Sequence, residues 1–208
     1  MKSRPEIKAQ AKAAYKANTG VSIGAYIVYL LVVGTVSGIS FGAGAVILAP
    51  VLMVGFSFFT IRLYRGEPLS IGDIFSSAFD NFGRKLGGML WMGLWTYLWS
   101  LLFIIPGIIK ALAYSMTPYI LANDTNVAAT DAIKLSMRMT NGHKGKIFVF
   151  MLSFLGWELL SVLTFGILDL VFVGPYRAAS MAGLYIELKQ NAIDNGIISA
   201  AEFAGQRV

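Results

Sequence analysis

The sequence predicts an all-α, polytopic membrane protein with six transmembrane helices arranged as three hairpins, plus interfacial amphipathic helices. Two compositional observations indicate a membrane protein. Charged residues make up 13% of the chain and hydrophobic residues 56%, whereas soluble domains carry about 25% charged residues. The mean hydropathy is +0.67. A third observation gives the number of helices, because the apolar residues fall into three long blocks bounded by basic segments.

The three apolar blocks, residues 20–61, 86–122 and 147–188, are each long enough for two crossings. A helix rises about 1.5 Å per residue and the hydrocarbon core is about 30 Å thick, so each block runs to about twice that thickness. Because unpaired backbone cannot face lipid, we expect two helices joined by a turn in each block. Turn signals occur at 38–44, at Pro106 with Gly107, and at 164–166. Residues 1–208 then form a single integral membrane domain.

Three shorter segments, at about 3–16, 70–82 and 126–141, have the spacing of amphipathic helices. In the second, Ile71, Ile74, Phe75 and Phe79 share one helical face. These patterns predict helices lying in the cytoplasmic interface. One such segment precedes each hairpin, with a period of about 60 residues that is typical of tandem duplication. The three segments resemble one another only weakly, so a true repeat and a coincidence both stay open.

The basic residues lie almost entirely outside the hairpins, before the first, between successive hairpins and after the last. The positive-inside bias therefore predicts cytoplasmic N- and C-termini. Arg84, Lys85, Lys144 and Lys146 are suited to anionic lipid headgroups on the cytoplasmic side, each contributing about 1 kcal/mol. These contacts explain the basic pI of 9.6, and we expect no nucleic-acid partner.

Glu158 and Arg177 are the charged residues predicted to lie deepest in the membrane. Counted from the turn at Gly166, they lie about 12 and 16 Å along adjacent antiparallel helices, at similar depth. An unpaired charge at the helix centre costs about 2.5–3.5 kcal/mol, which favours a partner. With Asp169, they form a candidate intramembrane polar site, the alternative being a purely structural ion pair. Asp169 is close enough to the turn that we expect it to reach water.

Pro106, Gly107 and Lys110 interrupt the longest uncharged run, which would otherwise look like one span. The proline is predicted at the turn or at the first position of the returning helix, where its missing N–H costs little. Lys110 lies about one turn further on, so its ammonium can reach the headgroups. These residues are interpreted as a structural turn and an anchor.

The chain contains no cysteine and one histidine. Thiolate chemistry, disulfides and a multi-histidine metal site are therefore excluded, and we expect no metal and no cofactor. No nucleophile–base spacing or phosphate-cradling glycine loop is present, so we do not expect an enzyme. Membrane lipids are the expected partners. Glycines spaced four apart in the first hairpin also leave open a partner protein or a homodimer.

Several strings resemble the bacterial domain-of-unknown-function family 975, whose members are small polytopic membrane proteins. They are LWSLLFIIPGIIKALAYSMTPYILAND, AIKLSMRMTNGHKGKIFVFMLSFLGWELL, LTFGI and PYRAASMAGLYIELK, in that order. The resemblance implies a multi-pass protein of the bacterial plasma membrane and carries no established reaction. The family pattern does not call for an acidic residue at Glu158.

Two functions follow as expectations. The first is a non-enzymatic accessory or interaction protein in envelope homeostasis or peptide export. The second is a small-molecule or ion transporter that uses Glu158 and Arg177. A cavity lined by these charges would favour transport, whereas a tightly packed core would favour the accessory role.

Overall fold

The computed structural model describes residues 1–102 and 104–205. These residues form α-helices, one π-helical turn and connecting turns, with no β-strand among them. The all-α prediction is confirmed.

The helices fall into three successive units, in each of which a short helix precedes a helical hairpin. The first unit comprises α1 (Arg4–Ala17), α2 (Thr19–Ile39) and α3 (Ala43–Arg65). The second comprises α4 (Gly72–Phe79), α5 (Phe82–Leu102), α6 (Ile104–Tyr114) and α7 (Thr117–Asn123). The third comprises α8 (Ala129–Thr140), α9 (Lys144–Leu152), α10 (Leu155–Leu163), a π-helical turn (Asp169–Val173) and α11 (Gly174–Asp194). A short helix, α12 (Ala200–Phe203), follows.

Among the described residues, three helical segments are long and apolar enough to cross a membrane. They are α2 with 21 residues, α3 with 23, and the combined α9–α10 segment, Lys144–Leu163, with 20. A span needs about 20 apolar residues, so each of these suffices by length and composition.

α3 is the central helix of the bundle, and the half of it that precedes Arg65 is almost wholly buried. Glycines bring its neighbours unusually close. A Cβ added at Gly55 would lie 2.0 Å from the carbonyl oxygen of Ile74 in α4, and one at Gly183 in α11 would lie 2.2 Å from the Tyr64 ring. Small residues at these contacts allow the close packing on which helix association in membranes depends.

The helices expected along the cytoplasmic interface are α1, α4 and α8, and each packs its apolar face against the bundle. α1 begins with a capping box formed by Ser3 and Glu6. Its buried face, with Ile7, Ala11 and Tyr15, contacts α11 and α3. α4 packs on α3, and α8 on α5, α6 and α7. These short helices are therefore part of the packed core.

Candidate functional site

A groove of about 730 Å³ lies between the second and third hairpins. α6 and α7 form one wall, α9, α10 and α11 form the other, and Met53 of α3 closes one side. The lining is largely apolar and includes Ile108, Leu112, Met151, Leu155 and Met181. This volume lies within the range of about 300–1,000 Å³ that is typical of small-molecule sites.

Glu158 and Arg177 are the charged residues of this lining. They come from α10 and α11, the two helices that flank the third turn, and the Arg177 guanidinium donates to Glu158 Oε1. Their side chains are 34% and 46% exposed, so the pair is open to a ligand in the groove. The pairing agrees with the similar depths that helix geometry predicts for the two residues.

Asp169 does not line the groove with Glu158 and Arg177. It lies on the π-helical turn and forms a hydrogen bond with α2. Its Oδ2 accepts a hydrogen bond of 2.8 Å from the Tyr26 hydroxyl. Its Oδ1 is buried and has no hydrogen-bond partner among the described residues. The expectation that Asp169 would reach water thus differs from the structure, because the π-turn directs the carboxylate toward Tyr26.

One wall of the groove contains a break in the returning helix of the second hairpin. α6 ends at Tyr114 and α7 begins at Thr117, with Pro118 in its first turn. The freed backbone groups bond to α8. The Ser136 hydroxyl donates to the Ala113 carbonyl at 2.8 Å and accepts from the Met116 N–H at 3.3 Å. Such side-chain bonds make a break tolerable inside a membrane protein. Ser115 and Tyr119, beside the break, face the groove.

The opposite wall contains a second break, between α9 and α10. There, the Lys8 ammonium of α1 donates to the Ser153 hydroxyl at 2.8 Å and to the Ser153 carbonyl at 3.2 Å. It also lies 3.9 Å from the centre of the Phe154 ring, a cation–π contact. Phe154 lines the groove, so Lys8 of α1 contacts a residue of the groove wall.

Pro106 and Gly107 lie inside the returning helix of the second hairpin, close to the predicted first helical position. α6 already begins at Ile104, so both residues lie within its first turn. Gly107 allows the hairpin to close, because a Cβ there would lie 2.5 Å from the Ser100 hydroxyl. The ammonium of Lys110 lies 4.7 Å from the centre of the Trp99 ring, across the same hairpin.

Two of the four residues predicted to bind headgroups turn inward instead. Arg84 donates to the carbonyl oxygens of Leu121, at 2.6 Å, and of Val127, and so caps the end of α7. Lys85 is 1% exposed and donates to the Ser77 carbonyl. All three bonds use backbone carbonyls that only the fold brings near, which the sequence pattern does not reveal. Lys146 is exposed and Lys144 partly exposed, so both stay available to headgroups.

A further network, which the sequence did not predict, joins the second and third units. The buried Asp124 carboxylate accepts a 2.8 Å bond from the Tyr185 hydroxyl and lies 2.5 Å from the Lys189 ammonium. This network holds the end of α7 against α11. Among residues 1–102 and 104–205, no cluster of three or more histidine or carboxylate side chains is placed to hold a metal ion.

The described residues form an all-helical protein, and three of its segments are long and apolar enough to cross a membrane. The model of a family described as "Protein of unknown function (DUF975)" matches residues 101–192. This match confirms the resemblance predicted from the sequence, and the matched segment contributes every wall of the groove except Met53. No curated protein and no solved structure matches the chain.

Proposed function

We propose that this protein is a non-enzymatic accessory protein of the bacterial plasma membrane that binds a small amphiphile in the groove between its second and third hairpins. The groove with its Glu158–Arg177 pair carries the proposal. An apolar wall recognises a hydrocarbon chain, and a few placed polar groups fix its orientation. A role in envelope homeostasis follows, because amphiphiles in this membrane are its lipids and their precursors.

The proposed topology has six crossings with both termini in the cytoplasm. The crossings are α2, α3, α5, α6 with α7, α9 with α10, and the π-turn with α11. The charge distribution supports this arrangement, since the first hairpin carries no charged residue between Lys16 and Arg62. Lysine and arginine residues cluster at the ends of the hairpins that lie away from the hairpin turns. The positive-inside bias predicts that those ends face the cytoplasm.

The ion pair favours an amphiphile with an anionic end. Arginine has five N–H donors in a planar fork, and one nitrogen of Arg177 is used by Glu158. The other donors suit a carboxylate or a phosphate, which arginine binds bidentately. Glu158 keeps the guanidinium oriented and compensates its charge when the groove holds no ligand.

Retention of a fatty-acid probe during purification tests the binding proposal. Oleate is offered to the protein in detergent micelles, with oleylamine as the cationic counterpart, and bound probe is counted by native mass spectrometry. Oleate should be retained by the wild type and lost in Arg177→Gln, whereas Lys110→Gln, which removes a cation outside the groove, should behave as the wild type. Equal retention of oleate and oleylamine by the wild type and both variants would contradict the proposal.

Transport of the same amphiphile is a second candidate, favoured by the broken helices on both walls. Discontinuous helices at mid-membrane are a recurring feature of transporter sites. In proteoliposomes, a carrier would move a fluorescent fatty acid across the bilayer faster than empty vesicles do, and Arg177→Gln would abolish the difference. Binding without such flux would leave the accessory role and reject the carrier.

A further inference from the structure

The turns of the first and third hairpins have the same local structure, 124 positions apart in the chain. Each places a phenylalanine in the left-handed region and follows it with a left-handed glycine. Phe41 has φ 48° and Gly42 has φ 88°, while Phe165 has φ 52° and Gly166 has φ 83°. The two phenylalanines are 101% and 97% exposed.

The hydrogen bonds of the two turns also correspond. The Gly42 N–H donates to the Ser37 carbonyl at 2.8 Å, and the Gly166 N–H donates to the Ser161 carbonyl at 2.8 Å. The hydroxyl before each phenylalanine accepts from a backbone N–H four residues on, at 2.8 Å for Ser40 and 3.2 Å for Thr164. The sequence therefore builds one turn twice.

Phenylalanine is energetically unfavourable in this backbone conformation. A left-handed residue with a Cβ costs about 1–2 kcal/mol, and asparagine or glycine occupies such positions far more often than a bulky side chain. Other left-handed positions in the chain are occupied by these less strained residue types. Asn81, between α4 and α5, has φ 50°, and Gly142, before α9, has φ 75°. Strain kept at two matching places indicates that the exposed ring itself is needed.

The residues around both rings are apolar and exposed, as expected for contact with lipid acyl chains. Exposed apolar side chains continue from each turn into its helices, with Ile39 and Val46 beside Phe41, and Leu163 and Ile167 beside Phe165. The turns at the other ends of the hairpins carry polar and charged residues instead, such as Glu67, Asp80 and Asn141. One chain thus uses two kinds of turn, suited to two different surroundings.

We infer that Phe41 and Phe165 are a matched pair of lipid anchors, which hold the tips of the first and third hairpins within the membrane leaflet farther from the basic segments. Each ring inserts between acyl chains, so these turns end inside the bilayer and do not emerge into water. The inference rests on the six-crossing arrangement proposed above and is independent of the groove.

Site-directed spin labelling tests the anchors directly, because the chain has no native cysteine. Phe41→Cys, Phe165→Cys and the control Asn81→Cys, which shares the left-handed backbone, each receive one nitroxide in phospholipid vesicles. Collision rates are then measured with oxygen, which partitions into lipid, and with a water-soluble nickel chelate. At positions 41 and 165, oxygen collisions should exceed nickel collisions several-fold. At position 81 the order should reverse.

Two results would overturn the inference. Nickel collisions at 41 or 165 as frequent as at 81 would place the tips in water. Low collision rates with both reagents, together with dipolar broadening, would show that a second copy of the chain covers the tips. If a cysteine in the strained position prevents folding, Ala43→Cys and Ile167→Cys report on the same two tips, since both residues are exposed there. Failure of oleate binding would leave these depth measurements unaffected.

Discussion

Replacing Glu158 with glutamine would leave Arg177 without a partner beside an apolar groove. Glutamate can escape an unpaired state by binding a proton, but arginine cannot lose its own, so Glu158→Gln is the sharper perturbation. An unpaired arginine at the helix centre costs about 2.5–3.5 kcal/mol, and helices freed from the bundle can move it to the interface. The pair is partly exposed within the groove. We therefore expect Glu158→Gln to lower the free energy of unfolding by about 2 kcal/mol.

The assay is reversible unfolding in lipid bicelles with a double-mutant cycle. Arg177→Gln should cost less than Glu158→Gln. The double variant should recover most of the loss, since it leaves no charge. Water-exposed pairs contribute only about 0–1 kcal/mol, so single variants within about 0.5 kcal/mol of the wild type would refute a membrane-buried pair.

Three further predictions follow from the packing and the loops. Gly55→Ala should cost about 1–3 kcal/mol in the same unfolding assay, because its Cβ would collide with the Ile74 carbonyl, whereas Gly93→Ala, with open space around its Cβ, should be close to neutral. Ser136→Ala should cost about 1–3 kcal/mol by leaving the Met116 N–H at the helix break without its partner and the Ala113 carbonyl with only the bond from the Thr140 hydroxyl, and an equal loss in the exposed Ser76→Ala would contradict this. Burial and the nearby Lys146 lower the pKa of His143 from its usual 6.5, so the unfolded chain takes up the proton first. Stability should therefore be full above pH 6.5 and fall as the pH drops, and a pH titration of His143→Gln should lack this component.

The sequence predicted the all-helical structure, because helices follow from local periodicity. Glu158 and Arg177 are linked by one turn, so their depths follow from counting residues along two helices. The same counting located the first and third turns. For the second hairpin, Pro106 was predicted at the turn or at the first position of the returning helix, whereas α6 begins two residues earlier, at Ile104.

The walls of the groove could not be predicted, because they depend on contacts between distant parts of the chain. Lys8 and Ser153 are 145 residues apart, and no local pattern links them. The inward course of Arg84 has the same cause, since its acceptors at Leu121 and Val127 become neighbours only when α5 packs beside α7. The signal that was available is Pro118, which indicates a helix break but not the hydroxyls of α8 that satisfy it.

The π-helical turn at Asp169–Val173 sets the rotational phase of α11. Hydrogen bonds from each residue to the fifth, not the fourth, before it place one extra residue in the turn. Each residue turns a helix by about 100°. Without the extra residue, α11 would present Arg177 about 100° away from Glu158, so this single insertion is what aims the guanidinium into the groove.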